Sequence, residues 1–391
     1  MVTRITNTML TNTLLSNLSM NLNRMDKLQN QLSSGRKFGH ISDDPSALIY
    51  GQAARNKLAR LGHYQATVET AQSWLTQAES GIMELNKVVG AIYEELVSAG
   101  SVKTDKDKQN LAMVVDQLRS HYVDTLNSSY GDRFVFGGYN TPGDFADGKS
   151  ADGIKPFSVD NAGNLFFNGL NVSQFDRMPS QLFDDMFRKI NPLEMTDSEL
   201  AVALEAEMTA AGFTPGTPPT SFSIGDAVKF NRLFNDNLSL DVAPGVSMPV
   251  TMNGLDVIFY TATDENPPNS PIIRNTWNVL SDIYDDINRI VPGSDTGTDT
   301  NILTKKIKTI QDAQNHLLTK TAEIGGRQRR LELLEARFAQ DNLNYEKMRS
   351  DAEDADMSEV IMFLKMSETV YQAALSAGAR VIQPTLMDFL R

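Results

Sequence analysis

The sequence predicts a mainly α protein: a long α-helical coiled-coil rod built from both ends of the chain, carrying an inserted β-rich (α+β) central domain. Three observations predict it. From Leu61 the apolar residues recur in alternating steps of three and four through Tyr64, Val68, Ala71, Leu75, Ala78, Ile82, Leu85, Val89, Ile92 and Leu96, with no polar residue in the series. In the C-terminal third, Leu303, Ile310, Leu317, Ile324, Leu331, Phe338 and Tyr345 recur every seven residues. Between these stretches, from about 131 to 270, Gly, Pro, Asn and Asp become frequent and short β-rich runs appear.

The first series has the narrow seam of coiled-coil packing. At 1.5 Å per residue such a helix extends ~54 Å, longer than a small globular domain is wide. The C-terminal stripe is thinner, because its companion positions Gln314, Thr321, Gln328, Glu335 and Asn342 are polar. Gly325-Gly326 is a place for a bend or a close neighbour. A thin stripe on so long a helix cannot form a core alone, so other long helices must lie beside it.

Two further helices belong to the extremities. Leu15, Leu18, Leu22, Met25 and Leu32 keep the same spacing, with Gln29 the polar intruder; Ile361, Leu364, Tyr371, Leu375 and Ile382 do likewise, interrupted by Glu368 and Gly378. Leu386 and Phe389 extend the apolar set at the C-terminus. These twelve residues are the candidate assembly interface. The first helix ends at Gly35, and Ser42-Asp43-Asp44-Pro45 opens the next, with Asp44 suited to the N-cap and Pro45 to the first helical position. A third N-terminal helix, about 105 to 129, carries Leu111, Val115, Leu118, Tyr122 and Leu126.

The central region reads as β-rich at Arg133–Phe136, Leu165–Phe167 and Leu255–Tyr260, with Asn168-Gly169 and Asn253-Gly254 as hairpin-type turn signals. Helical stretches near 180–190 and 197–211 interrupt it. The expected division is a terminal assembly domain (1–42 and 354–391), a helical domain (43–135 and 271–353) and an inserted outer domain (136–270).

Composition narrows the function. The 36 Lys and Arg against 49 Asp and Glu give a net charge of −13, a poor basis for holding nucleic acid. Residues 1–42 carry five basic residues and one acidic, 5 − 1 = +4, leaving −17 for the rest. A solvated helical face accounts for that asymmetry. With no cysteine, disulfides and thiolate metal sites are excluded. No apolar run approaches the ~20 residues that span a bilayer, so no membrane partner is expected. The N-terminus lacks the apolar core and cleavage site of a secretory signal.

Candidate chemistry is sparse. Gly143–Ser150, GDFADGKS, fits the phosphate-loop pattern G-x-x-x-x-G-K-[ST]. A phosphate loop, however, must run from a buried strand straight into a helix whose N–H groups hold the phosphates. Here Gly153 and Pro156 follow, and Asp144 and Asp147 would place negative charge in the cradle. It reads as a surface loop, and an NTP-using enzyme is the disfavoured alternative. Ser34–Lys37 fits S-x-x-K without its companion elements. His40, His63, His121 and His316 are scattered, with no second ligand at helical spacing. The acidic run Asp351, Glu353, Asp354 and Asp356 offers a loose cation site as one reading, but reads better as the separator of two helices and the start of the last. Trp74 and Trp277 sit among apolar helical positions and read as packing. No nucleophile, base and oxyanion site assemble, so neither catalysis nor a cofactor is expected.

Several terminal motifs carry a resemblance. Leu32-Ser-Ser-Gly-Arg-Lys37 followed by Ser42-Asp-Asp-Pro45 resembles the "LSSG(K/R) … DD" signature of the bacterial flagellin superfamily. Ala78–Asn86 is similar to its "TEGALNEIN" stretch, Gly325–Glu332 to "LGAxxNRLE", and Ser350–Glu359 to "RIxDADxAxE". These cover about 130 N-terminal and 90 C-terminal residues. Arg4–Met9, Asn23–Leu32 and Arg133–Gly138 resemble the hook-associated members rather than filament flagellin, and the ending Gln383–Arg391 departs from the usual flagellin tail. The resemblance implies a structural subunit exported through the flagellar secretion channel, without a cleaved signal, to the hook–filament junction of an extracellular flagellum. Its implied partners are further copies of itself in a ring or helical lattice, the first hook-associated protein, flagellin and a flagellar export chaperone. Filament flagellin is the nearest alternative, and a non-flagellar secreted adhesin or translocator a third. Thin seams on both terminal helices agree, since neighbours can bury them where a monomer cannot.

Overall fold

The computed structural model describes residues 7–39, 43–98, 105–131, 133–138, 155–214, 222–265, 268–289 and 297–381. Three helices open the chain: α1 (Asn7–Ser34), α2 (Pro45–Ser98) and α3 (Asp105–Leu126). Short elements follow: β1 (Ser129–Tyr130), β2 (Arg133–Phe134), β3 (Phe157–Val159), β4 (Leu165–Phe167), β5 (Leu170–Asn171), α4 (Ser180–Phe183), α5 (Asp197–Ala210) and α6 (Ile224–Phe234). Next come β6 (Ser239–Ala243), β7 (Val246–Pro249), α7 (Gly254–Ile258), β8 (Phe259–Glu265), β9 (Pro268–Asn275) and α8 (Thr276–Arg289). The long α9 (Gly297–Glu353) and α10 (Met357–Val381) close the chain. The described fold is mainly α, with long terminal helices and a small central β-containing region. It divides into two compact units, Tyr64–Glu335 and Met1–His63 with Ala336–Arg391.

Within the unit 64–335, α2 and α9 run antiparallel. Gln72 Nε2 donates to Glu335 Oε2 at 3.2 Å, and Gln328 Nε2 to Glu79 Oε2 at 2.9 Å. Every seam residue from Val68 to Leu96 is buried, as are Ile310, Leu317, Ile324 and Leu331 of the heptad series. Each buried Val, Leu or Ile among them contributes roughly 1.5–3 kcal/mol, so this seam is the main cohesive element of the paired helices. Gly325-Gly326 leaves α9 unbroken. Gly81 is required by packing: a Cβ there would lie 2.8 Å from the Phe136 ring, which fixes the 133–138 loop against α2. α3 packs against α8, and the Arg119 guanidinium stacks on Trp277 (4.7 Å) and Tyr284 (4.9 Å).

The strands form small antiparallel sheets, β1-β2, β3-β4-β5, β6-β7 and β8-β9. Asn168 (φ 48°) and Gly169 (φ 79°) both take positive φ in the turn between β4 and β5, as that tight hairpin demands. The helical stretches read near 180–190 and 197–211 correspond to α4, with the π-turn Asp184–Arg188 that extends it, and to α5. Phe175, Phe183, Phe187, Phe230 and Phe259 make a chain of ring contacts that welds α4, α6 and β8 together.

One local expectation is corrected. Leu255–Tyr260 reads as a strand, yet Gly254–Ile258 is a helical turn and only Phe259 and Tyr260 begin β8. The cause is Asn253. Its Oδ1 accepts from Leu255 N at 3.0 Å as an N-cap, while its Nδ2 donates to the carbonyls of Leu233 and Phe234. Asn253-Gly254 is therefore a helix start tied to the end of α6 rather than a hairpin turn. A Cβ on Gly254 would also meet the Phe157 ring and the Phe136 carbonyl.

Candidate assembly interface

The unit formed by residues 1–63 and 336–391 contains the terminal helices. α1 and α10 pair antiparallel: Asn21 Nδ2 donates to the Ser367 carbonyl at 3.0 Å, and the Arg24 guanidinium lies 5.7 Å from the Phe363 ring. The face of α1 turned to α10 carries Leu14, Leu18, Asn21, Met25, Leu28 and Leu32, and α10 answers with Val360, Leu364, Ser367, Tyr371, Ala374 and Gly378. Gly378 belongs to this contact rather than interrupting it, since a Cβ there would sit 2.6 Å from Leu14 Cδ2.

The helix breaks after α1 and before α10 meet at one level. Arg36 and Asp354 form a β-bridge, Lys37 N donates to the Glu353 carbonyl (2.8 Å), and Ala355 N donates to the Gly35 carbonyl (2.9 Å). Glu353, buried, receives both Nε and Nη2 of Arg55. Gly51 opposite leaves room for this side chain, since a Cβ would lie 2.7 Å from Glu353 Cγ and 3.0 Å from Cδ and force it to move. The helix starts are capped as their sequences require. Asp44 Oδ1 accepts from Ala47 N (3.0 Å), Ser46 Oγ (2.8 Å) and Ser46 N (3.1 Å), bonds that hold its carboxyl below the usual range. Asp356 Oδ1 likewise accepts from Ser358 N (2.9 Å) and Glu359 N (3.2 Å). The LSSGRK and DAEDAD motifs, 314 residues apart at Lys37 and Asp351, thus form one joint.

The candidate interface residues fall into three groups. Leu18, Met25, Leu32, Leu364 and Tyr371 are half-buried in the α1/α10 contact. Leu15 (57% exposed), Leu22 (45%), Ile361 (46%) and Leu375 (47%) face solvent. Ile382, Leu386 and Phe389 lie outside the described residues. At about 100° per residue, Leu15 and Leu22 sit roughly a quarter turn around α1 from its paired face. Ile361 and Leu375 are turned from the α10 contact toward the same side, since the helices are antiparallel. The result is an apolar flank along one side of the pair. Spacing alone missed Leu14, Leu28, Val360 and Phe363; the overlapping register Leu14, Leu18, Asn21, Met25, Leu28, Leu32 was the signal for the α1 members.

The alternative chemical sites do not gather. GDFADGKS and His40 lie outside the described residues. His63 is exposed, His121 Nε2 lies 3.3 Å from Glu84 Oε1, and His316 is held by the Asp256 carbonyl at 2.9 Å. Ser34 Oγ donates to the Asn30 carbonyl and Lys37 Nζ to that of Asp351, so neither faces the other. Trp277 Nε1 donates to the Gly163 carbonyl, a packing role. Among the described residues no group of three or more His, Asp or Glu is placed to hold a metal ion. No described helix is long and apolar enough to cross a membrane.

Residues 5–141 match the family described as the bacterial flagellin N-terminal helical region. The N-terminal part of the chain thus resembles that flagellin region. It is 26% identical over 184 residues to flagellar hook-associated protein 3 of Salmonella typhimurium, covering 45% of this chain and 58% of that protein. The Escherichia coli K12 protein of the same name is 23% identical over 272 residues, covering 66% and 84%. The flagellar filament 30.7 kDa core protein of Treponema maltophilum is 26% identical over 207 residues, covering 49% and 70%. A structure described as a flagellar hook-associated protein of Vibrio parahaemolyticus matches 80% of this chain and all of its own at a TM-score of 0.51 and 15% identity, a likeness of fold.

Proposed function

We propose that this chain is a structural subunit of the bacterial flagellum that joins hook to filament and assembles through its terminal helices. The observation that carries this is the apolar flank of the α1/α10 pair. Leu15, Leu22, Ile361 and Leu375 remain open to water after the pair has formed, at helical spacing that suits another helix. Burying what remains exposed of these four side chains contributes at most roughly 1.5–3 kcal/mol each toward association. Further copies of the chain supply the covering helices in a ring or helical lattice. The first hook-associated protein lies on the hook side, flagellin on the filament side, and an export chaperone covers the flank before secretion to the cell exterior.

Similarity to two hook-associated proteins and the Arg133–Gly138 motif support the junction over the filament itself. The Treponema filament match keeps a filament role as the second reading. Electron microscopy of cells lacking the protein separates them. Intact hooks without filaments, and antibody label confined to the hook tip, are the junction outcome; label along the filament is the other.

A further inference from the structure

The side of the α1/α10 pair opposite the leucine flank is lined by methionine. Met9 and Met20 of α1 are each 59% exposed, and on α10 Met362 is 58% and Met366 49% exposed, with Val370 beside them. Met9 and Met20 are rotated from the paired face of α1 in the sense opposite to Leu15 and Leu22. Met366 and Val370 are rotated likewise on α10, and Met362 lies farther round the same way. By contrast Met178, Met186, Met208, Met248 and Met252 in the unit 64–335 are sealed in its core. Thioethers are soft and conformationally adaptable, suited to a surface that packs against a neighbour. They are also the side chains that peroxide oxidises most readily after thiols, and the chain has no cysteine to compete.

The geometry points to a modification site: Met9, Met20, Met362 and Met366 form an oxidation-sensitive surface whose conversion to sulfoxide blocks packing of the terminal helices against a neighbouring subunit. This rests on the assembly reading above. The chemistry is self-contained. A thioether sulfur attacks one oxygen of hydrogen peroxide, an S–O bond forms as the O–O bond breaks, sulfur gives up two electrons, and the departing hydroxide takes up a proton as water. The sulfoxide is polar and accepts hydrogen bonds, so burying it against an apolar neighbour costs what burying the thioether gained. Leucine keeps the apolar bulk and cannot be oxidised.

The test uses the purified full chain, titrated with hydrogen peroxide, with sulfoxides mapped by mass spectrometry and self-association followed by sedimentation. The four surface methionines oxidise before the five core methionines. At that dose self-association weakens at least about tenfold while far-UV circular dichroism is unchanged. A variant with Met9, Met20, Met362 and Met366 all changed to Leu associates untreated and keeps associating after peroxide. Met83→Leu with Met113→Leu, at exposed positions in the other unit, stays peroxide-sensitive. Wild-type association that survives oxidation of the four sites overturns the inference alone, as does equal sensitivity in the four-Leu variant. Untreated protein that never self-associates sinks the assembly reading and this inference with it.

Discussion

Gly51 offers a test in which the sign of an effect, not only its size, is at stake. Glycine inside a helix costs about 1 kcal/mol relative to alanine, so Gly51→Ala in α2 should stabilise on propensity alone. The structure says otherwise. The new Cβ would lie 2.7 Å from Glu353 Cγ, closer than carbon atoms approach, and the Glu353 side chain is only 7% exposed with Arg55 holding its carboxylate. The carboxylate must leave, and with it two charge-assisted hydrogen bonds worth about 2–3 kcal/mol together. Arg55 is 42% exposed and can turn to water, which keeps the loss at that scale rather than that of an orphaned buried charge. Subtracting the propensity gain leaves Gly51→Ala destabilising by about 1–2 kcal/mol. In a Glu353→Ala background the obstruction is gone, and the same substitution should stabilise by about 1 kcal/mol. Urea unfolding of the four proteins, followed by circular dichroism, closes the cycle with a coupling of about 2–3 kcal/mol. A Gly51→Ala protein that is more stable than wild type would refute the reasoning, because Glu353 would then not occupy that space.

Three further outcomes are open to measurement. Burial, ahead of the nearby Lys320 charge, depresses the His316 imidazole below its ordinary 6.5 despite the bond to the Asp256 carbonyl. The unfolded chain therefore takes up a proton that the native state refuses, and stability should fall as pH drops from 6.5, by at most about 1.4 kcal/mol per pH unit; His316→Gln should flatten that slope in denaturant titrations, and an unchanged slope would exclude His316 as its source. Leu15→Asp should leave the monomer's unfolding midpoint within about 0.5 kcal/mol of wild type yet abolish assembly, whereas Leu28→Asp, at a position only 8% exposed, should cost the monomer about 2 kcal/mol or more. In limited proteolysis of the free subunit, residues 7–34 and 357–381 should be cut before residues 68–96; equal resistance would mean that the terminal pair needs no neighbour for its order.

The long seam was legible because its signal is redundant. Eleven consecutive apolar positions from Leu61 to Leu96 define one face, and ten of them are buried, with Tyr64 half-buried. No polar residue offered a competing register. The Leu255–Tyr260 segment failed for the opposite reason. Its apolar run has no period over so short a length, so the decision fell to Asn253, whose amide reaches 20 residues back to the Leu233 carbonyl. That tertiary bond turns a hairpin signal into a helix cap, and no local rule contains it. The Asn168-Gly169 turn was readable because both residues must take positive φ wherever the chain reverses that tightly.

The terminal helices show why an interface is harder to read than a core. On α1 two registers overlap, one through Leu15, Leu18, Leu22, Met25, Gln29 and Leu32, the other through Leu14, Leu18, Asn21, Met25, Leu28 and Leu32. Each has five apolar members and one polar intruder, so hydrophobicity alone cannot rank them. Pairing with α10 selects the second, because Asn21 finds the Ser367 carbonyl there and Gly378 makes room for Leu14. The first register is then only half used. A monomer that needed a single seam would gain solubility from polar residues at positions 15 and 22, and α10 would gain the same at 361 and 375. That all four are Leu or Ile on one side of the pair is what the proposed assembly requires of a helix with two neighbours: one seam for the subunit's own fold, and the adjacent flank for the next subunit.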